Sequence, residues 1–291
     1  MINRDGTKGI RHFTEYESVD ELLNSVQLHE KNRFHRESVI FGKNDIMHPS
    51  RDVHRNWRGG MSTIDELKHF VHLGWKDGLK RMKDVVVQIK DIPGIKDIRR
   101  IGEWADQGDD LNIDRIYSGD CDRAWRRSKR VLREGASRHG RIFVNISTSA
   151  AVHPEDFFWR GAAACAAADI LEDAGYRVEI AGFNMTRGTW NDSAALDSVV
   201  IVYLKKFDEA LDVERLAACT AHASFYRIGV FAHELSQPSY ASMGLGRPLV
   251  GPHPLSGEND VTVDSVFCLE AALQCVRFII ANITGKAFES N

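Results

Sequence analysis

The chain has 291 residues, 43% of them hydrophobic and 27% charged, and a formal net charge of −3. That length can bury a sizeable core in one or two globular domains, and the composition excludes a disordered tail, a collagen-like repeat and a coiled-coil rod. No run of about 18 apolar residues occurs, so no membrane span is expected.

The stretch Met1 to Tyr16 is polar and charged, unlike a secretory signal. The five cysteines, Cys121, Cys165, Cys219, Cys268 and Cys275, are odd in number and include no C-x-x-C pair. A reduced, cytoplasmic chain is the economical expectation.

The charge is unevenly spread. Residues 1–140 hold 27 Lys+Arg against 23 Asp+Glu, and residues 141–291 hold 11 against 18. The texture changes at the same place, from short apolar runs to dense blocks. A boundary near Gly135–Gly140 follows, with a mainly helical region at 1–137 and an α/β domain at 138–291.

In the first part, Ser18-x-x-Glu21 is a capping box that opens a helix through Val19, Leu22, Leu23 and Val26. A polar stretch from Asn32 to Gly60 follows, with turn signals at Gly42, Asn44 and Pro49. Thr63-x-x-Glu66 is a second capping box, and Leu67, Phe70 and Val71 after it have helical spacing. A further helix is expected from Asp77 to about Lys90, ended by Pro93-Gly94.

Residues 105–122 are acidic but lack the alternating oxygen ligands and terminal Glu of a calcium loop, so they read as a solvated loop. The segment 122–133 is basic. As a helix it would bring Arg123, Arg126, Arg127, Arg130 and Arg133 to one broad face. That face either pairs with the acidic loop, contacts phosphates in a salt-dependent way, or meets an acidic protein partner.

The second part alternates strand and helix, which implies an α/β sheet. Strands are expected at Arg141–Ser147, Tyr176–Phe183 and Ser198–Leu204, the last dense in β-branched residues. Pro154 opens a helix whose segment Gly161 to Ala168 is nearly all small residues, suited to close packing. Asp212 caps another helix. Ser224–Leu235 reads equally as strand or helix. Residues 236–257 hold four of the seven prolines and form a long loop. Asp260–Phe267 is a candidate strand, and Leu269–Ile283 is a final amphipathic helix.

The first of these strands ends in Asn145-Ile146-Ser147-Thr148-Ser149. Here the chain resembles a von Willebrand factor A-like (vWA) domain over roughly residues 140–284. That family's first strand ends in D-x-S-x-S, whose side chains ligate a divalent metal. Ser147 and Ser149 match the serines. The following helix, the strand ending in Gly182-Phe183 and an antiparallel third strand at Ser198–Leu204 match what comes next. The resemblance implies a Rossmann-like three-layer fold and a magnesium or manganese site at Asn145, Ser147 and Ser149. Asn145 departs from it, with a neutral oxygen where a hard dication prefers a carboxylate. Thr186 or Thr220, and Asp264, are the only candidates for the family's later ligands. A degenerate site without a cofactor is therefore the expectation.

A second resemblance covers more of the chain. Gly74-Trp75-Lys-Asp-Gly78, Tyr117-Ser-Gly119, Arg160-Gly161-Ala162-Ala163 and Leu211-Asp-x-x-Arg215-Leu216-Ala217 look like an uncharacterised family of bacteriophages and mobile elements. It implies phage origin, the host cytoplasm or the virion as location, and no mechanism.

There is no P-loop and no G-x-S-x-G elbow. Gly244-Leu-Gly246 lacks dinucleotide-loop spacing, and His233-Glu234 lacks the second His of H-E-x-x-H. Cys219 and His222 sit three apart on a helix, and His69 and His72 lack further ligands. The reading is a non-enzymatic interaction protein whose vWA-like half docks a protein partner, or a second copy, near Asn145, Ser147 and Ser149. The alternative is a nucleic-acid-binding accessory factor using the basic segment 122–133.

Overall fold

The computed structural model describes residues 2–3, 10–33, 52–82, 102–107, 110–111, 113–117, 119–128, 139–149, 152–187, 196–236, 247–252, 256–257 and 260–285. Its elements in chain order are β1 (Ile2–Asn3), β2 (Ile10–Tyr16), α1 (Val19–Arg33), α2 (Asp52–Trp57), α3 (Ile64–Leu73), α4 (76–82), β3 (Gly102–Ala105), β4 (Asp110–Leu111), α5 (Ile113–Tyr117) and β5 (Trp125–Ser128). There follow β6 (His139–Asn145), α6 (Phe157–Asp173), β7 (Arg177–Arg187), β8 (Leu196–Lys205), α7 (Val213–Thr220), a π-helical turn (Phe225–Val230) running into α8 (Phe231–Ser236), β9 (Arg247–Pro248), β10 (Asp260–Val263) and α9 (Leu269–Thr284).

Both capping boxes form. Ser18 Oγ accepts from the Glu21 amide at 3.2 Å, and the Glu21 carboxylate accepts from the Glu17 amide at 2.8 Å. Thr63 Oγ1 accepts from the Glu66 amide at 3.1 Å, and Glu66 accepts from Ser62 N at 2.6 Å. Asp212 caps α7 through the Arg215 amide at 2.9 Å. Gly74 ends α3 with φ 71°, and a Cβ there would stand 2.5 Å from Glu214 Cβ. Trp75 N then donates to Glu214 O at 3.0 Å, which pins Trp75 against α7.

The main sheet runs β1-β2-β8-β7-β6-β10, with β9 beside the end of β7. β6 is parallel to β7 and β10, β8 is antiparallel to β7, and β2 is parallel to β8. The expected antiparallel strand at Ser198–Leu204 is thus present. It is not an edge, because Ile10 to Tyr16 pair with Leu196 to Val202.

That pairing corrects the division at 137/138. The expected helical N-terminal region supplies a strand of the sheet, and Leu22, Leu23, Ile64 and Leu67 share one apolar core with β6, α6, α7 and α9. Polar positions in 10–16 hide the strand from a hydrophobicity reading. Of its apolar residues, Phe13 and Tyr16 are buried, one on each face.

Strand alternation splits the sheet into two apolar faces. Ile142, Val144, Val178, Ile180, Val200, Val202, Val261 and Val263 meet the helices. Phe13, Phe143, Ala181, Phe183, Met185, Val199 and Ile201 form a cluster on the opposite face, with Tyr203 and Leu249 against it. Among the described residues, every helix contributing to the core lies on the first face. The expected α/β class holds, whereas the described residues make two layers rather than three.

The helix expected at 122–133 is also corrected. Residues 121–123 form a short 3-10 turn, and Trp125–Ser128 is a strand between β3 and β4 in a separate three-stranded sheet. A strand has period two, so positions 126 and 127 do not share a face as three- and four-residue spacing would require. Positions 130 and 133 lie outside the described residues. The ambiguous stretch 224–235 is helical, with the π turn at its start.

Candidate functional site

Strand β6 delivers Asn145 to its carboxyl end, where it is buried with Ser147, while Ser149 is exposed. Asn145 Nδ2 donates to Leu249 O at 2.8 Å and to Asp264 Oδ1 at 3.2 Å. Asn145 Oδ1 accepts from Ser147 N at 3.0 Å and from Ser147 Oγ at 2.6 Å. Asp264, just beyond β10, also accepts from Gly251 N and from Ser265 N at 3.0 Å. Of the tentative later ligands, Asp264 is therefore brought to Asn145. Thr220 is elsewhere, its hydroxyl donating to Leu216 O at 2.8 Å, and Thr186 lies on β7 opposite Ser198.

These residues do not fit a divalent ion. A hard cation needs oxygen lone pairs aimed at it. Here the amide N–H of Asn145 faces the Asp264 carboxylate, and its oxygen and the Ser147 hydroxyl are bonded to each other. Arg160, 2% exposed, adds a positive charge beneath the same loop by donating to Ser147 O at 2.9 Å. Burial pushes its guanidinium down to about 10, against the opposing pull of Asp264. Among the described residues, no group of three His, Cys, Asp or Glu is placed to hold a metal. Millimolar magnesium or manganese is expected to leave the melting temperature of the wild type unchanged. Asn145→Asp is expected to melt lower by a calorimetric scan, because it exchanges a donor to Asp264 for a second carboxylate.

A cavity of about 560 Å³ opens beyond the same loop. Its walls include Asn56 and Trp57 of α2, Trp75 at the start of α4, Glu155 and Phe158 at the start of α6, and His222 after α7. Arg227, fully buried in the π turn, braces two of these walls by donating to Trp57 O and Val152 O, with its guanidinium carbon 4.2 Å from the Trp57 ring centroid. Burial holds this guanidinium at about 10 as well. At the lip, Arg81 lies 4.2 Å from the Phe158 centroid and pairs with Glu155 at 2.9 Å.

His222 packs edge-on against Trp75, with centroids 4.8 Å apart, and tilted against Phe70 at 4.7 Å. Ser224 Oγ donates to Arg58 O at 2.7 Å and lies 2.8 Å from His222 Nδ1, toward which Ser224 N also points at 3.4 Å. The His222 ring is held by these contacts. Desolvation lowers its pKa from 6.5 to about 4, with Glu155 opposing weakly. The unfolded chain binds this proton first, so stability is complete above about 6.5 and falls as the pH drops toward 4. The loss expected from this group is about 3 kcal/mol. Denaturant melts from pH 7 to 4 check it, and His222→Phe should show a correspondingly flatter profile.

A family model for a domain of unknown function, DUF7192, matches residues 7–285. The chain belongs to that family. No curated protein and no solved structure matches it. The DUF7192 match runs from the residues before β2 to the end of α9, so it takes in every strand of the main sheet but β1, together with α2, α4 and α6 around the cavity.

All five cysteines are free thiols, with Cys165 and Cys219 buried. Burial raises the Cys219 thiol well above its ordinary value, while His222 turns to Ser224, Trp75 and Phe70. His72 approaches Asp20 at 3.6 Å. His233 and Glu234 are both buried but serve different partners. His233 Nδ1 is 2.6 Å from Tyr16 Oη, and Glu234 Oε1 accepts from Asn184 Nδ2 at 2.6 Å and from Ser198 Oγ at 3.3 Å. The sequence reading gave no site role to Trp57, Trp75, Phe158 or the buried Arg58, Arg160 and Arg227. Arg227 did carry a signal, as the one charge inside the apolar run Phe225 to Ala232.

Proposed function

We propose that this protein is a non-enzymatic recognition module, in which an α/β sheet of vWA-like form supports a binding cavity beyond the loop that follows β6. The observation that carries the reading is the cavity: two tryptophans, a phenylalanine and a neutral histidine around a concave space, with few polar groups among them. The polar group at the sheet's carboxyl end supports it, since Asn145, Ser147 and Asp264 satisfy one another. Saturation-transfer NMR with a mixture of small aromatic, cationic and anionic compounds tests the reading. Asn56→Trp, on an exposed helical position of the wall, should abolish transfer without lowering the melting temperature. If no compound gives a signal that Asn56→Trp removes, the reading fails.

A second reading, self-association at the sheet's carboxyl end, is favoured by Val250 at 73% and Phe267 at 46% exposure. Both sit on segments tied to Asp264 through Gly251 N and Ser265 N. Light scattering should show a dimer that Val250→Asp with Phe267→Asp reduces to a monomer. A wild-type monomer at high concentration would remove this reading.

A further inference from the structure

We infer that the cavity takes a guanidinium cation, held between the Trp75 indole and the Glu155 carboxylate. This rests on the recognition reading above and names the guest of that site.

The lining carries charge of one sign. Among the described residues Glu155 is its only Asp, Glu, Lys or Arg, and Asp156 follows at the start of α6. The two carboxylates offset the positive end of that helix, which would otherwise favour an anion. His222, its pKa lowered to about 4 by burial, is uncharged and adds no repulsion. Arg227 lies 4.2 Å from the Trp57 centroid, so that ring already carries a cation and the guest is kept to the Trp75 side.

The chain itself shows how this wall holds a guanidinium. Glu155 lies in the 3-10 turn Pro154–Asp156, three residues before Phe158. Arg81 of α4 lies 4.2 Å from the Phe158 centroid and donates through Nη1 to Glu155 Oε2 at 2.9 Å. A ring and a carboxylate one turn apart thus grip one guanidinium at the lip. Glu155 Oε1 has no partner among the described residues and is open to a second donor. The Arg81 and Glu155 side chains are 46% and 76% exposed, so their pairing is weak and yields to a competitor.

The second ring is Trp75, edge-on to Phe158 with centroids 6.2 Å apart, and edge-on to His222. Indole is the best cation platform among aromatic side chains. A Cβ at position 78 would stand 2.2 Å from Trp75 Cδ2 and Cε3, so Gly78 lets α4 close one side of the indole, and the rest lines the cavity. A guanidinium suits both groups: its plane stacks on a ring and its N–H fork meets a carboxylate. An ammonium supplies the charge without the plane.

Isothermal titration of the full chain with butylguanidinium, butylammonium and the neutral butylurea tests the inference. Butylguanidinium is expected to bind about tenfold more tightly than butylurea, with butylammonium between them. Glu155→Gln should bring butylguanidinium to the affinity of butylurea. Arg81→Ala should tighten butylguanidinium about threefold, because a rival cation is gone, and leave butylurea unchanged. A capped Gly-Arg-Gly peptide separates the sources. Affinity equal to that of butylguanidinium supports an arginine side chain as the guest, and exclusion of the peptide supports a free guanidino compound. Equal affinity for butylguanidinium and butylurea, or no effect of Glu155→Gln, overturns the cation. Butylammonium binding as tightly as butylguanidinium overturns the guanidinium. Binding of none of the three, while another compound of the NMR mixture binds in an Asn56→Trp-sensitive way, overturns the ligand class but leaves the recognition reading standing. Binding of nothing overturns both.

Discussion

Gly161→Ala should destabilise the protein by about 2 kcal/mol or more, although exchange of glycine for alanine inside a helix ordinarily stabilises by about 1 kcal/mol. The packing effect wins because of what the added methyl meets. A Cβ at position 161 would stand 2.4 Å from Ala221 Cβ, 2.4 Å from Ala221 N and 2.5 Å from Ala221 Cα. Two of those three atoms are backbone, and they end α7, where Ala221 N donates to Ala217 O at 2.9 Å. No rotamer change relieves the clash, so α6 and α7 must separate and lose contact along the alanine-lined seam. Adding Ala221→Gly should restore only part of the loss, since the backbone contacts remain. Urea melts of the two variants decide the matter. A Gly161→Ala protein as stable as the wild type would mean that the helices are not in this close contact.

Arg227→Met should cost about 3 kcal/mol, through two orphaned carbonyls rather than through lost charge attraction. Arg227 is fully buried and bonds Trp57 O and Val152 O from one planar group. Methionine keeps much of the volume and removes both donors. Arg227→Lys separates charge from geometry, because an ammonium on a flexible stem cannot span both carbonyls in the guanidinium's fixed fork. It should recover less than half of the loss. The same variants should loosen the cavity, seen as faster amide exchange at residues 57–60 and 152–153. A Met variant with wild-type stability would show that these carbonyls find other donors.

Arg227 marks the limit of what was legible in the sequence. Caps and strands of the C-terminal half follow local rules, so Ser18, Thr63 and Asp212 could be placed from spacing alone. The antiparallel strand at Ser198–Leu204 and the packing role of the small residues after Gly161 were readable for the same reason. The strand at 10–16 was not, because its burial comes from pairing with residues 196–202 and not from its own pattern. The basic stretch at 122–133 misled in the other direction: its arginine spacing fits a helix, yet pairing with β3 and β4 makes 125–128 a strand.

The site shows the same division. Asn145, Ser147 and Asp264 were within reach because a strand end and a following loop concentrate polar groups. The cavity was not, since its walls come from α2, α4, α6 and the turn after α7, which are distant in sequence. An isolated arginine in an apolar run, such as Arg227, was the available hint that a buried charge bridges such segments.

The seating of β2 beside β8 also sets an order of events during synthesis. Ile10 finds its partner only when Leu196 has been made, and Tyr16 only when Val202 has. β2, made long before β8, is thus among the last strands to be fixed. Until then β8 has a bare side, the kind of edge through which unfinished sheets capture strands of neighbouring molecules. The N-terminal segment therefore closes the sheet late, as a seal, and shortening it should convert a well-behaved chain into one that aggregates as it is made.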